Sequence, residues 1–107
     1  MDAATEPAPH ATADGVLALP VELTIYTVGE LHATWRSWVQ AGGCRVDGAA
    51  VDQVDAAGLQ LLLALARSVH ERGSALRLTA SSLALDAGCA GLGLGHWLAE
   101  HHEGATA

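Results

Sequence analysis

Apolar positions along the chain change their period several times, and each change marks an element. Gly15-Val16-Leu17-Ala18-Leu19 is a short apolar run closed by Pro20, and Glu22-Leu23-Thr24-Ile25-Tyr26 resumes it with β-branched and aromatic residues. This predicts two short extended segments around a proline turn. Thr27-Val28-Gly29-Glu30 has the Thr-x-x-Glu spacing of a capping box, so a helix is expected from Val28. Val28, Leu31, His32, Trp35, Trp38 and Val39 then recur at helical spacing, with Arg36, Ser37 and Gln40 on the opposite arc, and Gly42-Gly43 ends the helix. Cys44-Arg45-Val46-Asp47 alternates like a strand.

Val51-Asp52-Gln53-Val54 leads into Asp55, a good N-cap, and the stretch from Ala56 to Arg72 is free of Gly and Pro apart from Gly58. Gly73 closes this second helix, Ala75-Leu76-Arg77-Leu78-Thr79 alternates again, and Ser81-Ser82 caps a shorter helix expected to run to about Gly91. Gly95 to His102 reads as a last amphipathic turn or two anchored by Trp97 and Leu98. Strands alternating with helices predict an α/β fold, a small mixed and largely parallel β-sheet backed by helices, with room for an antiparallel hairpin at its start. The domain is expected over residues 15–102, with a flexible tail at 1–14, rich in Ala, Thr, Pro and acids, and a short C-terminal tail at 103–107.

Composition narrows the function classes. Half of the 107 residues are hydrophobic, which suits one compact core. Twelve carboxylates face five arginines and no lysine, for a net charge of -7, so nucleic-acid phosphates and anionic lipid are repelled. No apolar run reaches the roughly 20 residues of a membrane span, and the N-terminus lacks a secretory layout, so no membrane insertion and a cytoplasmic location are expected. Cys44 and Cys89 are expected to be reduced and buried. His96, His101 and His102 lie five and one residues apart, without the spacing that puts ligands on one helical face, and no metal or other cofactor is expected. The glycine-rich run from Gly88 to Gly95 has no Lys-Ser/Thr pair and reads as a helix end, not a nucleotide loop. No nucleophile and base can be paired by spacing, so enzymatic activity is not expected and no catalytic residue is named.

The helix after Asp55 carries more information. On a helical wheel Leu59, Leu62, Leu63, Ala66 and Val69 share the arc expected to face the sheet. Ala57, Leu61, Ala64 and Ser68 form a second, mildly apolar stripe, with Leu65 on one border and Gln60, Arg67 and Glu71 on the other. A chain this small cannot sandwich that helix, so the stripe is expected to meet a partner, with Leu61 near the centre and Leu61→Asp as the test. Such a face can also meet its own copy as a homodimer. Asp47 and Asp55 read as loop-shaping and capping residues.

Val46-Asp47, Val51 and Val54-Asp55-Ala56-Ala57-Gly58-Leu59, followed by the leucine-rich helix, resemble the STAS domain of sulfate transporters and anti-sigma factor antagonists. The resemblance extends over most of Gly15 to Leu98 and takes in Leu19-Pro20 and Leu92-Gly93-Leu94. It implies a protein-binding module that is not an enzyme, docking through Asp55, Ala56, Ala57, Gly58, Leu61, Ala64 and Ser68. In phosphorylatable antagonists the acceptor Ser or Thr stands just before the glycine, a position filled here by Ala57, which has no hydroxyl. The implied partners are an anti-sigma or sensor kinase-like ATPase, in a signalling or chemotaxis cluster, or the ATPase of a phospholipid transporter that maintains lipid asymmetry. A small-ligand or nucleotide-binding role for the loop from Val46 to Asp55 is a further alternative, opposed by the charges of Asp47, Asp52 and Asp55.

Overall fold

The computed structural model describes residues 15–104; the expected tail at 1–14 and residues 105–107 lie outside the described residues. Nine elements follow in the order β1 (Leu17–Ala18), β2 (Glu22–Leu23), α1 (Val28–Gln40), β3 (Arg45–Asp47), β4 (Gln53–Val54), α2 (Ala56–Glu71), β5 (Arg77–Ala80), α3 (Leu83–Gly91) and α4 (Gly95–His101).

All ladders between these strands are parallel. One sheet has the order β1-β3-β5, with Leu17 opposite Val46 and Val46 opposite Leu78, and a second pairs β2 with β4, with Leu23 opposite Val54. The hairpin expected at the start does not form: β1 and β2 follow one another along the same neighbouring segment instead of pairing together. Residues 17–23 run beside 46–54, and the ladder is interrupted where Pro20 has no N–H to donate and where Gly48 to Asp52 bow out. Across the break the Leu19 amide donates to the Asp47 carbonyl at 2.8 Å and the Asp52 amide to the Val21 carbonyl at 2.8 Å. β4 was not expected as a strand, because Asp52 and Gln53 mask a two-residue ladder that only its neighbour makes visible.

Leu17, Leu19, Leu23, Val46 and Leu78 of the strand segments are buried against Leu31 and Trp35 of α1, Leu59, Leu62 and Val69 of α2, Leu85 and Cys89 of α3 and Leu98 of α4. At about 25 cal/mol per Å² of apolar area removed from water, this one cluster is the main favourable term for the fold. Expected α1 positions bury as the wheel requires, except that Val28 is half-buried and His32 is exposed. α1 begins at Val28, but the capping box is not made. Thr27 has near-helical backbone angles and its hydroxyl is engaged with the β2–α1 turn, taking the Thr24 amide at 3.1 Å and lying 3.0 Å from the Glu22 carbonyl. α1 closes as expected through Gly42, whose φ of +95° suits a residue without Cβ, and the Trp38 indole donates to the Gly15 carbonyl at 2.9 Å.

Ser82 caps α3 by accepting from the Leu85 amide at 3.0 Å. Gly88 lies inside α3, where a Cβ would stand 2.6 Å from Val54 Cγ1, so this glycine lets the helix close on β4. Gly93, with φ of +76°, turns the chain between α3 and α4. After α4 the chain runs back along β5. His102 bridges Leu78, the Glu103 amide donates to the Leu78 carbonyl at 2.7 Å, and the Glu103 carboxylate grips Arg45 through two bonds of 2.7 and 2.9 Å. Glu103, where a tail was expected to begin, is therefore held by the sheet. Cys89 is buried, and burial followed by the nearby Asp86 charge pushes its thiol pKa up. Cys44 is only half-buried and just precedes β3, a correction to its expected place inside the strand; both thiols are free.

Candidate protein-binding site

The turn between β4 and α2 is built around the Asp55 carboxylate. Asp55 has extended backbone angles, its amide donates to the Leu23 carbonyl at 3.3 Å, and its two oxygens serve two different segments. Oδ1 accepts from the Gly58 amide at 2.9 Å and so caps α2, while Oδ2 accepts from the Ile25 amide at 3.0 Å and ties the helix start to the end of β2. The second bond was not foreseen, since it joins residues 30 apart in sequence. The Ile25 amide, then the Gly58 amide, hold the Asp55 pKa below the ordinary carboxylate value, against a smaller upward push from desolvation.

A pKa lowered in the folded state makes a carboxylate stabilising above its unfolded pKa, and that contribution disappears as pH falls through the native value. Calorimetry of wild type and Asp55→Asn is therefore expected to show a Tm gap at neutral pH that shrinks through the acidic range and vanishes below the depressed pKa. A gap independent of pH would mean that the carboxylate charge does not hold this turn.

Ala56 is exposed and Ala57 half-buried on the first turn of α2, while Gly58 is buried. Gly58 has structural work in this place: a Cβ there would run into the backbone carbonyl of Leu23. Asp47 shapes the preceding loop by accepting from the Ala49 amide at 2.9 Å.

The helical stripe needs correction. Ala64 and Ser68 are exposed, but Leu61 is half-buried against the core, Leu65 is fully buried and Leu63 is half-buried. The wheel refers the helix to a sheet alone, whereas α1 also packs on α2, and Trp35 and Val39 of its buried arc line the same groove as Leu65. Leu61, Ala64 and Ser68 line one side of a groove of about 300 Å³ whose other side is His32, Trp35 and Arg36 of α1. Trp35 is almost wholly buried, and its indole N–H finds no acceptor among the described residues. Thus Asp55, Ala56, Ala57 and Gly58 form one turn, and Leu61, Ala64 and Ser68 continue from it as the wall of an interhelical groove. The three histidines are not gathered: His96 pairs with Glu100 at 3.0 Å and His101 stacks on Trp97 at 4.4 Å, and the described residues hold no group of three side chains placed to hold a metal.

The site is thus a parallel strand leading into an aspartate-capped, leucine-rich helix. A family model described as "Mlab, STAS domain" matches residues 8–100. The chain belongs to the STAS family. Comparison with curated proteins and with solved structures returns no match. The match and the parallel α/β architecture agree with the resemblance read from Asp55 to Leu59. STAS domains commonly bind protein partners and are generally non-catalytic. No helix among the described residues is long and apolar enough to cross a membrane.

Proposed function

We propose that this STAS domain is a non-enzymatic, cytoplasmic regulatory adaptor that binds a protein partner through the turn from Asp55 to Gly58 and the exposed side of α2. The observation that carries the reading is the turn itself, pinned at both carboxylate oxygens and devoid of a hydroxyl at Ala56 and Ala57. A phosphate at a helix start adds a charge of about -1.5 to -2 and can switch docking off. Ala57 cannot receive one, so docking is constitutive or controlled from the partner's side. The partner class in this reading is an ATPase of the anti-sigma or sensor-kinase type in a signalling or chemotaxis cluster, docked without a phosphorylation switch on this chain.

A second reading places the same surface on the ATPase of a phospholipid transporter. The Mlab description of the matched family supports this branch, while the missing phosphoacceptor speaks against a phosphorylation-switched antagonist and is compatible with either reading. Anion or nucleotide binding at the turn has less support, because the Asp55 carboxylate already occupies the Gly58 amide that an anion would need.

The experiment is affinity capture from the native cytoplasm with wild type, Ala57→Arg and Ala64→Arg. Ala64 replaces Leu61 as the probe because it is exposed, so a charge there leaves the core intact. We expect one ATPase to be retained by wild type and lost with both variants. Recovery of the same proteins by all three chains would remove this face from any interface.

A further inference from the structure

We propose that the partner meets the domain with a basic surface around an apolar centre, seated on Val21, Ile25 and Tyr26 beside the Asp55 turn. The inference deepens the adaptor reading and rests on it. Val21, Ile25 and Tyr26 are 58, 59 and 85% exposed, three of the five large hydrophobic side chains so exposed among the described residues. They belong to one continuous place. The Val21 carbonyl takes the Asp52 amide at 2.8 Å, the Ile25 amide is bonded to Asp55, and the Tyr26 amide donates to Thr24 Oγ1 at 3.2 Å. Nothing in the folding of the domain requires an isoleucine and a tyrosine to stand in water here, since their amides and not their side chains secure the turn.

The surrounding charge is of one sign. Residues 15–35 and 46–66 contain Glu22, Glu30, Asp47, Asp52 and Asp55 and neither Arg nor Lys. Arg45 and Arg77 open strands β3 and β5, and at 1.5 Å per residue Arg36 stands about 12 Å along α1 from Val28, while Arg67 and Arg72 stand about 17 and 24 Å along α2 from Ala56. The end of the domain that carries the apolar side chains is thus acidic, with the arginines set further along the helices or at the starts of strands. An apolar centre supplies affinity and a charged rim supplies orientation and association rate, so the complementary surface carries Arg or Lys around an apolar pocket. Two copies of this chain meeting face to face here would oppose like charges. The segment 1–14, with Asp2, Glu6 and Asp14 and no Arg or Lys, is a poor occupant for the same reason.

The test uses the full chain, labelled with ¹⁵N, and two synthetic amphipathic helical peptides that share an apolar face and carry arginines or glutamates on the other. The arginine peptide is expected to move the amide signals of Val21, Ile25, Tyr26, Asp52 and Asp55 and to bind more weakly as salt is raised. The double variant Ile25→Ser/Tyr26→Ala should weaken it about tenfold, while Leu92→Ser, at an exposed leucine elsewhere, should not. Equal binding of the glutamate peptide, signals that move elsewhere, or an unaffected double variant would each overturn the proposal. So would a concentration-dependent dimer in sedimentation that the double variant abolishes, since it would give the face to a second copy. The purified ATPase from the capture experiment separates the two ideas. Loss of binding with Ala57→Arg but indifference to Glu22→Gln/Asp52→Asn and to salt overturns the basic partner alone, whereas indifference to Ala57→Arg overturns the adaptor reading itself.

Discussion

Gly58→Ala is expected to lower the melting temperature by about 10–20 °C, although alanine is the better helix former by about 1 kcal/mol. The sign reverses because the added methyl would collide with the Leu23 carbonyl, a backbone atom fixed in the β2–β4 ladder. α2 must then lift from β2, which costs about 3 kcal/mol, as overpacking of a close contact does, and stretches both bonds to the Asp55 carboxylate. Gly29→Ala supplies the contrast. Gly29 stands in the first turn of α1 with open space around it, so the same substitution there should raise Tm. Thermal unfolding of the two variants checks the argument, and a Tm for Gly58→Ala at or above wild type would show that the α2–β2 contact is not close.

Leu62→Ala is expected to destabilise the domain by about 2–5 kcal/mol, a large share of the ~5–15 kcal/mol that holds a native protein together. Leu62 is about 1% exposed and sits in the middle of the core cluster, so truncation leaves a cavity that rigid neighbours cannot fill. Its neighbour Leu61 is half-buried at the edge of the interhelical groove, where water and the α1 side chains can adjust, and Leu61→Ala should cost roughly half as much. Urea unfolding of both variants measures the difference. Equal losses would mean that the groove is closed and that Leu61 belongs to the core, which would withdraw the wall of α2 from the binding surface.

These two leucines also show how far the sequence can be read. Period and spacing are local, and so the start of α1 at Val28, the capping of α2 by Asp55, the capping of α3 by Ser82 and the sheet-facing positions Leu59, Leu62 and Val69 were all legible. The Thr-x-x-Glu spacing at Thr27 does not become a capping box because its hydroxyl is taken by backbone groups of the β2–α1 turn instead. Leu65 was placed at the border of an exposed stripe because a wheel says which residues share a face but not how many neighbours the helix has. In the candidate site, the turn from Asp55 to Gly58 could be found from its residue types, while the groove could not, since half of it comes from α1.

The sequence by itself determined the helices, the caps of α2 and α3, the alternation that makes a parallel α/β fold and the missing hydroxyl at Ala57, because each depends on residues a few positions apart. The tertiary structure alone decided that β1 and β2 share one neighbouring segment, that Gly58 must be glycine, and that the Asp55 carboxylate also anchors Ile25. It also decided that Val21, Ile25 and Tyr26 stand together at an acidic end. The physical reason is that these features are set by close approach between segments about 30 to 35 residues apart, as Ile25 is from Asp55 and Leu23 from Gly58, and contacts of that range follow from packing and backbone hydrogen bonding that no local pattern encodes.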